Sequence, residues 1–202
     1  MHIVCLDLEG VLVPEVWINF AERTGIPELR LTTRDIPDYD KLMQGRLRIL
    51  AEHKLGLAQI QEVISAMDPM PGAHEFLDRL RQDFQVIILS DTFYEFGMPL
   101  MRKLGMPSLF CHRLEVAHDG SISGYRLRQS DPKRKAVAAL KDLNFRVLAA
   151  GDSYNDTSML SEADAGVLFR APANVIREFP QFPVTERYED LEAALRGAAS
   201  TF

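Results

Sequence analysis

Long apolar runs are missing from this chain. None approaches the roughly 18 consecutive residues a membrane span needs, and no basic stretch followed by an apolar segment opens the sequence as a targeting signal would. Positive charge is also scarce. Lys and Arg total 23 against 29 Asp and Glu, for a net charge of −6, and the basic residues are scattered among acids, which argues against a nucleic-acid partner. Cysteine occurs only twice, at Cys5 and Cys111, without zinc or redox spacing, so both read as buried free thiols. A reducing compartment fits, and with it a cytoplasmic location. The five histidines, His2, His53, His74, His112 and His118, show no metal-ligand spacing and read as surface or hairpin residues. Neither G-x-x-x-x-G-K-[ST] nor G-x-G-x-x-G occurs, which argues against ATP as a phosphoryl source.

What remains is enough chain for one sizeable core: 202 residues, 47% hydrophobic and 26% charged. Apolar runs at Ile3–Leu6, Val86–Leu89, Val147–Ala150 and Ala165–Phe169 alternate with segments of helical periodicity. That alternation predicts an α/β fold with a doubly wound, Rossmann-like parallel sheet. Between Pro14 and Pro71 helical segments follow one another without a strand, broken at Gly25, Pro27, Pro37, Gly56 and Pro69. Residues 14–70 therefore read as a helical cap inserted into a core made of 1–13 and 71–202. Asp119-Gly120, inside "CHRLEVAHDGSISGYRL", predicts a hairpin. Tyr188 to Arg196 reads as a peripheral amphipathic helix with no chemical role.

Each apolar run is followed by oxygen-bearing side chains. Asp7 and Glu9 follow the first, Ser90-Asp91-Thr92 the second, and Asp152, Asn155 and Asp156 the third. Ligands of open α/β sheets bind at the carboxyl ends of the strands, so parallel packing brings these groups to one crevice. Turn-making and helix-capping explain any one of these positions, but not the set. Asp7 and Glu9, two residues apart, share a side while the strand holds, and Asp152 approaches from the next strand end. Three acids in one low-dielectric pocket repel unless a cation neutralises them. Hard oxygen ligands suit Mg²⁺, usually shared with a substrate phosphate.

"DLEGVL", "ILSDTF", "SDPKRKAV" and "GDSYND" resemble the four ordered motifs of the haloacid dehalogenase superfamily of aspartate-nucleophile phosphohydrolases. Within it, the helical cap after the first motif, the "PGAHEFLDRL" entry to the second and the hairpin are similar to those of phosphoserine phosphatases. The DLEG form of the first motif resembles the bifunctional members that also transfer phosphate to homoserine. The resemblance implies Asp7 as nucleophile and Glu9 as general acid/base, where the family usually has a second Asp. It implies Mg²⁺ held by Asp7, Asp152 and the main-chain carbonyl of Glu9. Ser90 and Thr92 fall in the segment that holds phosphoryl oxygens, Lys133 matches the cation that neutralises nucleophile and phosphate, and Asn155 and Asp156 match residues that orient the phosphate and a water. Lys133 could also simply be a solvated helix start.

Asp91 departs from the family's glycine. It is either a substrate contact or the cap of a helix beginning near Tyr94. Leu42, Ile49 and Leu50 form an apolar stripe with Arg46 inside it. The resemblance makes Arg46 the partner of the substrate carboxylate and Glu15 that of its ammonium, against readings of Arg46 as a rim residue and Glu15 as a helix-dipole acid. Trp17 and Phe20 are expected to pack in the cap or close the site. The implied activity is a phosphoserine phosphatase of serine biosynthesis, with homoserine as a further phosphoryl acceptor. The rivals are a phosphatase of another small phosphomonoester and, from a different class, a phospho-accepting signalling module. Whether the chain works as a monomer or a homodimer stays open.

Overall fold

A computed structural model describes residues 1–32, 35–36 and 38–201 of the protein. Pro37, read above as one of the breaks, and Phe202, at the end of the expected core, lie outside the described residues. The elements run in the order β1 (His2–Leu6), α1 (Val16–Thr24), α2 (Tyr39–Glu52), α3 (Leu57–Ser65), α4 (Ala73–Leu80), β2 (Gln85–Phe93), α5 (Tyr94–Lys103), β3 (Ser108–Val116) and β4 (Ile122–Arg126). Then follow α6 (Pro132–Asp142), β5 (Arg146–Gly151), α7 (Thr157–Glu162), β6 (Ala165–Phe169), α8 (Ala173–Glu178), β7 (Val184–Thr185) and α9 (Tyr188–Ala199).

The strands form one seven-stranded sheet ordered β4-β3-β2-β1-β5-β6-β7, parallel except for the β3–β4 hairpin. β1 sits at its centre, with Leu6 opposite Ile88 of β2 on one side and Ala150 of β5 on the other. A strand covered on both faces must be apolar throughout, which is why this run does not alternate. Val4 and Leu6 face the larger core, while Ile3 and Cys5 face the smaller one. The three parallel neighbours β2, β1 and β5 point their carboxyl ends the same way, as the motif argument requires.

No strand is assigned between residues 14 and 70 among the described residues; α1, α2 and α3 fill the segment. Gly25 ends α1 in the left-handed region at φ 70°, a conformation glycine adopts without a Cβ clash. Asp38 caps α2 by accepting from the Lys41 N–H at 3.1 Å. The inserted helices share their apolar core with one face of the sheet, Trp17 meeting Phe96 edge-on with ring centroids 5.4 Å apart. On α2 the inward face is Leu42, Met43, Arg46 and Leu50. The hairpin turn forms as read, and its Gly120 carbonyl accepts from the Leu57 N–H at 2.9 Å, so the hairpin tip meets the start of α3.

The C-terminal helix is less peripheral than its periodicity suggests. Its first residue, Tyr188, is buried between the rings of Phe76 and Phe169 at 4.8 and 5.0 Å, and its hydroxyl donates to the Val11 carbonyl at 2.6 Å. The helix thereby braces the loop that follows β1. No helix among the described residues is long and apolar enough to cross a membrane.

Candidate active site

The site is built on strand ends. Asp7 continues past β1, its N–H donating to the Ala150 carbonyl of β5 at 3.0 Å, so its side chain is delivered by two strands at once. Lys133, the second residue of α6, is 2% exposed and donates to Asp7 Oδ1 at 2.8 Å and Asp156 Oδ1 at 2.7 Å. A solvated helix start is therefore not what this lysine is. Asp156 takes the N–H groups of Asp152 and Ser153 on its other oxygen, at 3.0 and 3.1 Å. This tuck requires Gly151, because a Cβ there would overlap the Asp156 side chain.

The carboxylates of Asp7, Asp152 and Asp156 come within 4.8 Å of one another, all buried. Asp7 and Asp156 share the Lys133 ammonium, and a divalent cation would offset negative charge that remains where the three carboxylates converge. The donors are hard carboxylate oxygens, so the residues present fit Mg²⁺. Burial and then the charges of Asp156 and Asp152 push the Asp7 carboxyl well above its ordinary range, against the pull of Lys133. Burial alone would lower the Lys133 ammonium, but Asp156, Asp7 and Asp91 together hold it above its ordinary value.

Glu9 stands apart from this cluster. The strand stops at Leu6, so Asp7 and Glu9 no longer share a partner, and Glu9 Oε2 accepts from the Val16 N–H at the start of α1 at 3.0 Å. Its carboxylate belongs to the helical insertion's end of the cleft, while Asp156 joins Asp7 and Asp152. Burial and the neighbouring Glu15 push the Glu9 carboxyl up to about 8, against the Val16 N–H and Arg46.

β2 runs further than its apolar stretch. Leu89 lies opposite Phe110 and Phe93 opposite His112, so four steps on β2 face two on β3. This bulge buries Ser90 and Thr92, with the Thr92 N–H on Ser90 Oγ at 3.2 Å, and turns Asp91 towards the cleft. Asp91 does not cap the following helix: α5 has Phe93 at its N-cap position with no side-chain cap bond. Instead Asp91 Oδ2 accepts from Asn155 Nδ2 at 2.8 Å and lies 3.7 Å from Lys133 Nζ. Burial alone would raise the Asp91 carboxyl, but Lys133, the His112 ring beside it and the hydrogen bond from Asn155 pull it well below its usual range. The acid that looked unfavourable beside a phosphate site is thus paired with a cation.

Asp7, Glu9, Ser90, Asp91, Lys133 and Asp152 line one cleft of about 820 Å³, closed on the insertion side by Glu15, Trp17, Tyr39, Leu42 and Arg46. Arg46 is 7% exposed and lies over the Trp17 ring, its Cζ 4.3 Å from the centroid. Its Nη2 donates to the Leu31 carbonyl at 2.8 Å, while its Nε has no hydrogen-bond partner among the described residues. Burial lowers its guanidinium to about 10, against Glu9, Tyr39 and Glu15. Phe20 packs in the core rather than at the cleft. Both cysteines are buried free thiols that burial pushes up to about 12.

Two site residues escape a motif reading. His112 is 3% exposed, lines the cleft and points Nε2 at Asp91 Oδ1 from 3.5 Å. Its signal was present: "LFCH" is an apolar run ending in a polar residue, the same pattern that marked Asp7 and Asp152. Tyr39, whose hydroxyl donates to the Asp91 carbonyl at 3.3 Å, left no such mark.

The chain is similar to known proteins in sequence and in fold. A family model of haloacid dehalogenase-like hydrolases matches residues 1–164. The chain is 65% identical over 200 residues to the phosphoserine phosphatase ThrH of Pseudomonas aeruginosa, covering 99% of this chain and 98% of the relative. It is 65% identical over 192 residues to a phosphoserine phosphatase of Pseudomonas syringae pv. tomato, covering 95% of this chain and 81% of that one. The crystal structure of a phosphoserine phosphatase from T. onnurineus superposes with a TM-score of 0.71 at 25% identity, over 95% of this chain and 92% of that chain. With its four motifs gathered at the strand ends of such a sheet and a family match over most of its length, the chain belongs to the haloacid dehalogenase-like hydrolases.

Proposed function

We propose that the chain is a phosphoserine phosphatase that carries the phosphoryl group on Asp7, uses Mg²⁺, and also passes the group to homoserine. Residues 14–70 act as the cap that selects the amino acid. The observation that carries the substrate is Arg46: a buried guanidinium in the cleft wall whose Nε has no partner among the described residues costs free energy unless an anion meets it. A carboxylate supplies that anion, and Glu15, half-buried in the same wall, suits an ammonium group. The two relatives above bear the name phosphoserine phosphatase, which supports the same reading. A phosphatase of a carboxylate-free ester would give Arg46 no ligand.

Asp7 attacks phosphorus as the P–O bond to serine breaks, and the serine oxygen takes its proton from Glu9. Glu9 is suited to this because a carboxyl held at about 8 still carries its proton at neutral pH. A water oxygen then attacks phosphorus, the P–O bond to Asp7 breaks, and the water's proton passes to Glu9. Lys133, on both Asp7 and Asp156, keeps the nucleophile in place and its positive charge beside the developing phosphoryl charge. The second N–H of the Asn155 amide and the Ser90 hydroxyl are donors for phosphoryl oxygens. Asp7 and Asp152 would hold Mg²⁺ together with the Glu9 main-chain carbonyl; bound there, it offsets the carboxylates and draws charge from the phosphoryl group. With homoserine in place of water, its hydroxyl oxygen forms the new P–O bond and its proton goes to Glu9. The reading also implies an enzyme of amino-acid biosynthesis in the cytoplasm.

The test is phosphate release from phosphoserine, phosphothreonine and sugar phosphates, with Mg²⁺ and after EDTA. Preference for phosphoserine, lost with EDTA and weakened in Arg46→Ala, is expected. Equal rates on sugar phosphates overturn the substrate assignment. With excess homoserine the expected product is O-phosphohomoserine by mass; only serine and inorganic phosphate at saturating homoserine would refute the transferase half.

A further inference from the structure

Asp91 has no step in this mechanism, yet four elements meet on it. Its carboxylate takes Asn155 from the loop after β5, faces His112 of β3 and lies beside Lys133 of α6, and its carbonyl takes the Tyr39 hydroxyl of α2. His112 is fixed behind it. The ring accepts the Arg128 N–H at Nδ1, 3.1 Å away, so its proton sits on Nε2, facing Asp91.

Asn155 is the group with most to lose. It is exposed at the cleft mouth, its Oδ1 accepting from Ser153 Oγ and its Nδ2 giving one proton to Asp91. The remaining N–H of Nδ2 is the one left for a phosphoryl oxygen. An exposed amide held this way turns when its acceptor is removed. Lys133 does not depend on Asp91 in the same sense: its short bonds go to Asp7 and Asp156, and 3.7 Å is too far for a hydrogen bond.

We infer that Asp91, braced by His112, is a positioning residue of the phosphoryl site that acts through Asn155, fixing which way its amide faces the phosphoryl oxygens while touching no substrate itself. This rests on the phosphoryl-transfer reading above. A misaligned donor weakens the transition state more than the bound ester, so the loss falls on kcat and not on KM. The fold does not need glycine at this position for the strand bulge; it needs an acceptor there for Asn155.

The experiment is a double-mutant cycle of Asp91→Gly and Asn155→Ala in the Mg²⁺-loaded protein, assayed on phosphoserine and on p-nitrophenyl phosphate. Asp91→Gly is expected to lower kcat by about 10- to 100-fold, the scale of one oriented donor, with KM within about threefold. The double variant is expected within about twofold of Asn155→Ala alone, because both remove the same donor. Orthovanadate affinity by calorimetry should follow the same cycle without turnover. Asp91→Asn, nearly isosteric, and His112→Gln give smaller losses of the same sign, and the second vanishes in the Asp91→Gly background. Losses that multiply, or a wild-type kcat in Asp91→Gly, overturn the inference. Turnover of p-nitrophenyl phosphate but not phosphoserine refutes the substrate reading and leaves the cycle interpretable.

Discussion

Replacing Lys133 by methionine keeps the length of the side chain and removes its charge. In the folded protein Lys133 Nζ lies 2.8 Å from Asp7 and 2.7 Å from Asp156, with all three side chains buried. Breaking a buried pair by removing one partner costs about 3–5 kcal/mol, because the remaining charge is left uncompensated. For a chain of this size that lowers Tm by roughly 6–20 °C, at about 2–4 °C per kcal/mol. The penalty depends on pH in a definite direction. Without the ammonium, burial and mutual repulsion raise the folded-state pKa of Asp7 further above its unfolded value of 3.8, so the folded state binds more protons than the unfolded state and stability falls as pH rises above about 4. The assay is urea unfolding of wild type and Lys133→Met in EDTA at pH 5 and pH 8. A larger deficit at pH 8 than at pH 5 is expected. A variant within about 1 kcal/mol of wild type at both pH values would refute the claim that Lys133 is the charge partner of these acids.

Arg46→Ala should raise KM for phosphoserine far more than for p-nitrophenyl phosphate, with a loss of about 2–5 kcal/mol if the guanidinium–carboxylate pair is desolvated; equal losses on both esters would make Arg46 structural. Because Glu9 must be protonated to release serine, kcat/KM should decline above about pH 8, and the alkaline limb should be missing from the residual activity of Glu9→Gln; a limb unchanged in that variant assigns it to another group. Gly151→Ala puts a Cβ where Asp156 lies, so it should cost about 1–3 kcal/mol in denaturant unfolding and most of the activity, and a fully active variant would show that the Asp156 tuck is dispensable. Neither thiol should react with a neutral alkylating reagent in the folded protein, since Cys5 and Cys111 are buried and held at about 12; rapid labelling would contradict their burial.

The sheet was legible because strands buried on both faces leave continuous apolar runs, and each of the four runs became a strand. The acids behind those runs were legible for the same reason: in a parallel sheet the strand ends converge, so Asp7 and Asp152 meet, whereas Lys133, at the start of α6 and 126 residues from Asp7, was legible only through the resemblance of its motif. Partner choice was not legible. Whether Asp91 caps a helix or faces a lysine is decided by the bulge opposite Phe110 and His112, a register fact that no local pattern encodes. Glu9 shows the same limit, since its bond to Val16 depends on where the chain turns after Gly10, at φ 79°. Tyr188 looked like the start of a surface helix because its two stacking partners, Phe76 and Phe169, come from distant segments.

The account stands on Asp7 as the atom that receives phosphorus. Its most direct test is to mix the Mg²⁺-loaded protein with phosphoserine, quench in acid within the first turnovers, digest, and read the peptide that contains Asp7 by mass spectrometry. The account predicts one added phosphoryl group on Asp7, labile to hydroxylamine as an acyl phosphate, and none in Asp7→Asn. Phosphate released by a protein whose Asp7 peptide stays unmodified, with Asp7→Asn still turning over, would contradict it.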